Sequence, residues 1–154
     1  MRTGLVHGLI AGAAGTLALN AATYLDMSVR ARSASTVPTR SAARLAERAG
    51  IDLGEDVAAE RRAEGLGALL GYAVGLGFGA AYGALSAGTR GLPTWSAGML
   101  LAAATMTAEL PATRLSASTG PGAWGVNGWL TGIVPHVAYG MTAAAVYARI
   151  ERPG

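Results

Sequence analysis

The sequence predicts an all-α integral membrane protein, a four-helix bundle whose halves read as two fused two-helix hairpin repeats. Three observations predict it. Five glycines, Gly67, Gly71, Gly75, Gly79 and Gly83, recur at four-residue steps inside a stretch from Leu66 to Gly88 that carries no charge. Of the 154 residues, 51% are hydrophobic and only 14% are charged, and the mean hydropathy is positive, which places the chain among membrane proteins. The apolar residues also gather into four runs of about the 20 residues needed to cross a hydrocarbon core.

The glycine ridge carries the packing argument. In lipid there is little hydrophobic drive between helices, so association depends on close backbone approach, and a row of glycines removes the side chains that hold a neighbour away. In water each of those glycines costs a helix about 1 kcal/mol relative to alanine. The ridge therefore reads as a helix-packing surface in a bilayer. Further ridges at the same step are Gly4, Gly8, Gly12, Thr16 and Asn20 in the first run, and Gly128, Gly132, His136, Gly140 and Ala144 in the last.

The spans are expected over 4–25, 66–88, 95–112 and 126–148. Trp95, Trp124, Trp129, Tyr24 and Tyr147 fall near their ends, where interfacial aromatics belong. The third run is short and carries Glu109 and Pro111 near its end. The first run is also compatible with a signal peptide, although its apolar stretch is longer than a usual h-region. Between the first two spans lies the polar loop 26–64, in which seven arginines face seven acids. A short helix is expected over Ser41–Ala49, capped by Thr39 or Ser41 and stopped by Gly50. Residues 55–64 have helical composition up to Gly65, so the second span is expected to project beyond the membrane. This loop reads either as a surface-lying helix or as a platform for a partner.

All twelve basic residues are arginines. Eight of them (Arg30, Arg32, Arg40, Arg44, Arg48, Arg61, Arg62 and Arg114) lie on the side of the long loop, and four (Arg2, Arg90, Arg149 and Arg152) on the other. The positive-inside rule then puts loop 26–64 in the cytoplasm and both termini outside. The net charge of +3 is too small and scattered to argue for nucleic acid.

The two halves resemble each other. At an offset of 90, Gly8, Ala13, Ala14, Ala18, Ala22, Thr23, Leu25 and Ser28 meet identical residues between Gly98 and Ser118. At an offset of 65, Gly67, Ala73, Gly75, Ala80 and Tyr82 meet Gly132, Ala138, Gly140, Ala145 and Tyr147. Chance matching among Ala- and Gly-rich helices is the alternative. Copies of two spans each enter the membrane in the same direction, related by an axis along its normal.

Polar residues inside the spans are the candidate site. At about 1.5 Å per residue, Glu109 lies roughly 21 Å in from Trp95, His136 roughly 17 Å from Tyr147 and Asn20 roughly 24 Å from Gly4, all measured from the side of the termini. Glu109, His136 and Asn20 are therefore expected at similar depth, with hydroxyls from Thr105, Thr107 and Thr113 nearby. Two readings stand: a proton, ion or polar-ligand path, or interhelical hydrogen bonding by His136 with Glu109 at the interface. No metal or other cofactor is expected, since the chain has no cysteine and too few ligands, and depth separates His7 from His136. No lysine is present either, and no nucleophile with a base can be named, so no enzyme is expected.

The runs Gly12-Ala-Ala-Gly-Thr-Leu-Ala-Leu-Asn-Ala-Ala-Thr-Tyr-Leu-Asp26, Arg44-Leu-Ala-Glu-Arg-Ala-Gly50 and Val134-Pro-His-Val-Ala-Tyr-Gly140 resemble an uncharacterised family of small actinobacterial multi-span membrane proteins. The resemblance implies a multi-pass protein of the bacterial inner membrane and carries over no catalytic residue. The expected function is that of a non-enzymatic structural or accessory membrane protein, joined through its glycine ridge to copies of itself or to another membrane subunit. The alternative is a small channel or transporter using Glu109, His136 and Asn20.

Overall fold

A computed structural model describes residues 2–89, 92–111, 122 and 125–151. Trp124, Thr113, Arg90, Arg114, Arg152 and the part of the expected repeat from 112 to 121 lie outside these residues. The described chain is all-helical, with five helices and no strand: α1 (Arg2–Arg30), α2 (Val37–Arg48), α3 (Asp56–Thr89), α4 (Thr94–Ala108) and α5 (Val126–Glu151).

Helices α1 and α3 are long and apolar enough to cross a membrane, over Thr3–Arg30 and Asp56–Ser86. Only 28% and 11% of their most apolar windows are buried within the chain. A core helix of a water-soluble domain is apolar because it is covered; these two are apolar and uncovered, with Leu17, Leu69 and Leu85 facing outward. The expected run 95–112 is shorter as a helix. Helix α4 has 15 residues, a rise of about 22 Å against the roughly 30 Å of hydrocarbon. It closes at Glu109, whose N–H bonds the Met106 carbonyl at 3.2 Å, just before Pro111, which has no N–H to continue the ladder.

The loop helix differs from expectation in its start. Helix α2 begins at Val37, with Pro38 in its first turn and Thr36 at the N-cap without a side-chain bond. Ser41 is not a cap; it is buried with Ala42 and Ala46 on the face turned to α3. The C-terminal end matches a Schellman stop: Gly50 has φ +70°, its N–H bonds Glu47, and Ile51 N–H bonds Ala46. The backbone of Pro38 meets Gly67, while Ala43 and Glu47 share a groove with Ala59, Glu60 and Ala63. Helix α2 therefore runs antiparallel along the polar start of α3 and forms a hairpin with it.

The apolar helices pair as α1 with α3 and α4 with α5, and α1 with α5 joins the two pairs; α3 and α4 scarcely meet. Each pair is antiparallel. A Cβ at Gly4 or at Gly12 would stand 2.8 Å from the carbonyl oxygen of Gly83 or Gly75, and one at Gly140 would stand 2.7 Å from Ala102 N. Backbone touches backbone at these points, which only glycine permits. The core between the pairs holds Ala11, Leu101, Tyr139, Ala143 and Tyr147, with Leu19, Phe78, Tyr82 and Val146 against it.

The α3 ridge serves two neighbours. Four residues advance a helix by about 400°, so the ridge drifts by about 40° per step. Ala63 and Gly67 are buried beside α2, Gly75, Gly79 and Gly83 lie against α1, and at Gly71, between the two, an added Cβ would meet nothing within 4 Å. The hairpins also show their own register. Gly79 packs on Gly8 and Gly12, and Gly140 packs on Gly98 and Ala102. Residues 8 and 98 thus correspond at the offset of 90, but 79 and 140 correspond at 61, one helical turn from the offset of 65. Sequence identity aligned Tyr82 with Tyr147, whereas these two rings face each other across α3 and α5, 5.1 Å apart and edge to face.

Candidate functional site

Helix α4 buries one stripe against α5, comprising Ala97, Gly98, Leu101, Ala102 and Thr105, and Glu109 continues that stripe at the next turn. Helix α5 buries Pro135, His136, Tyr139, Gly140, Ala143, Ala144 and Tyr147. The two stripes bring Glu109 Oε1 to 3.3 Å from His136 Nε2. The imidazole is buried, and the carboxylate is 57% exposed. The other ring nitrogen, Nδ1, lies 2.7 Å from the Gly132 carbonyl oxygen of its own helix. Both nitrogens of this histidine thus face oxygen.

Asn20, the third residue expected at this depth, is half-buried on α1, and its side chain makes no hydrogen bond to Glu109 or His136. The threonines turn back on their own helix: Thr105 Oγ1 donates to Leu101 and Ala102 at 3.0 Å, and Thr107 Oγ1 donates to Ala103 at 2.7 Å.

A second histidine–carboxylate pair lies at the other end of α5, where His7 Nδ1 is 2.5 Å from Glu151 Oε1. Sequence reasoning missed it. Its signal was the placement of His7 near the start of α1 and Glu151 near the end of α5, adjacent levels in antiparallel helices. Between the two pairs the tyrosine hydroxyls are hydrogen-bonded and the alanines are closed over. Tyr139 Oη donates to the Gly75 carbonyl at 2.5 Å, and Tyr147 Oη donates to Ser86 Oγ at 2.6 Å. Ala143 and Ala144, between these tyrosines, are completely buried. Tyr147 is therefore a core residue and not an interfacial one, while Tyr24, Trp95 and Trp129 are exposed.

At the loop side, Arg30 and Arg32 both bond Asp26, and Arg30 also bonds Thr131 of α5. This cluster ties the end of α1 to the start of α5. Open grooves among the described residues include one of about 710 Å³ between α2 and the start of α3, and an apolar one of about 240 Å³ on α3 lined by Val74, Gly77, Phe78 and Ala81. Neither touches Glu109 or His136. Among the described residues no group of three or more His, Asp or Glu side chains is placed to hold a metal ion. Comparison with protein-family models, with curated proteins and with solved structures gives no match.

Proposed function

We propose that the chain is a four-span protein of a bacterial inner membrane, with its long loop in the cytoplasm, and that it acts without catalysis as a structural or accessory membrane subunit. The observation that carries this reading is the outward apolar face of α3, only 11% of whose apolar window is buried, on a helix whose other face is fixed by glycine contacts. Such a helix is a rigid rail with one free side. Because Gly75, Gly79 and Gly83 are occupied by α1, a second copy or another membrane subunit would use the face carrying Val74, Gly77 and Ala81 instead. A Cβ at Gly77 would meet nothing within 4 Å. The channel reading draws on the Glu109–His136 contact, but the closed alanine layer at Ala143 and Ala144 speaks for a dry bundle.

The test is Gly77→Leu. The side chain projects into open space, so the variant is expected to keep its helicity and thermal stability while its oligomer, measured by mass photometry in nanodiscs, falls to the monomer. A wild-type protein that is already monomeric, or a variant with unchanged assembly, would remove α3 as the docking rail.

A further inference from the structure

We propose that α4 is a flap latched to α5 by one proton shared between Glu109 and His136, and that loss of this proton releases the end of α4. Three features of the fold carry this. Helix α4 rests on α5 and hardly touches α1 or α3, so its attachment is one-sided. Its closest approach lies where Gly98 and Ala102 meet Gly140, and this backbone contact is the pivot. Glu109 stands about 10 Å beyond Ala102 along the helix, at the end of the lever.

The proton count follows from the acceptors. The Gly132 carbonyl faces Nδ1 and can only accept, so Nδ1 carries a hydrogen. The 3.3 Å contact between Nε2 and Oε1 then needs one further proton, on the ring as imidazolium or on the carboxyl as acid. Removing it leaves a carboxylate facing the lone pair of Nε2, and the contact becomes repulsive. Adding a second proton leaves an imidazolium N–H donating to a carboxylic acid oxygen, and the contact persists. The latch therefore holds in acid and opens as pH rises.

The surroundings isolate the pair. From α4, no charged residue lies between Thr94 and Ala108; from α3, none lies between Leu66 and Gly88. From α1 the nearest are Asp26 and Arg30, bonded to each other, with Arg30 reaching Thr131, roughly 7.5 Å of helical rise from His136. On α5 itself, Arg149 and Glu151 lie at the far end, and Glu151 is engaged with His7. Arg114 lies outside the described residues.

The chain has no cysteine, so paired spin labels can be placed without background. With Ala108→Cys on α4 and Ala21→Cys on α1, both exposed, the interlabel distance in nanodiscs is read by double electron–electron resonance at about pH 6 and about pH 9, on either side of the usual histidine range. The expected result is a single short distance at the lower pH and a second, longer population at the higher. Glu109→Gln supplies an amide N–H to the neutral Nε2 and is expected to give the short distance at both. Glu109→Ala is expected to give the long population at both. A wild-type distance that ignores pH, or a pH response that survives in Glu109→Gln, would overturn the proposal. The distances are read on protein inserted in a bilayer, and a failure of the four-span reading shows separately, in the sidedness of the loops that flank α3 and α4.

Discussion

Leucine at Gly79 is expected to separate α1 from α3 and to unfold the bundle at far lower denaturant than the wild type. A Cβ at this position would stand 2.6 Å from Gly12 N, with Gly8 on its other side, and neither neighbour has a side chain that can turn away. Overpacking in an adaptable core costs about 1–3 kcal/mol. Here two backbones must part, and the matching contacts of Gly4 with Gly83 and of Gly12 with Gly75 are lost together. The cost should reach or exceed about 3 kcal/mol, because close packing is the main attraction between helices in lipid. Titration with a denaturing detergent, followed by circular dichroism and near-ultraviolet signal, measures it. Gly71→Ala provides the contrast: its added methyl meets nothing within 4 Å, so stability should be unchanged or slightly raised.

The second large effect is expected at Tyr139. Its side chain is 1% exposed, its ring lies where a Cβ at Gly15 would stand 2.8 Å away, and its hydroxyl bonds the Gly75 carbonyl. One residue thus joins α5 to both α1 and α3. Tyr139→Ala should cost about 3–5 kcal/mol through the cavity it leaves. Tyr139→Phe keeps the ring and leaves a carbonyl that already serves its own helix, so its cost should be about 1 kcal/mol. Equal losses in the two variants would move the weight from packing to the hydroxyl.

The parts of this fold that depend on one helix at a time were legible in the sequence. The four-residue glycine step and the rise per residue are properties of a single α-helix, so the ridge and the shared depth of Glu109 and His136 could be read directly. What depends on rotation about the helix axis, or on the choice of neighbour, could not. Tyr147 sits near a helix end yet turns inward onto Tyr82. The ridge of α3 named a packing surface without naming its partner; complementary glycines at 4, 8 and 12 in α1 were the available clue. The packing of α2 on α3 was hidden for a related reason. Its buried face is made of small residues, Ser41, Ala42 and Ala46, which fit a helix neighbour and give too little apolar area to hold an interface.

Membrane topology is the most direct measurement of the central claim, that this is a four-span bundle closed by internal glycine contacts. Single cysteines at Ser33, Leu92 and Gly125, all exposed in loops of an otherwise cysteine-free chain, can be labelled in intact cells and after lysis with a membrane-impermeant maleimide. The four-span arrangement predicts that Leu92→Cys is labelled in intact cells, while Ser33→Cys and Gly125→Cys are labelled only after lysis. Labelling of all three from the same side would contradict it, because α3 and α4 would then not cross.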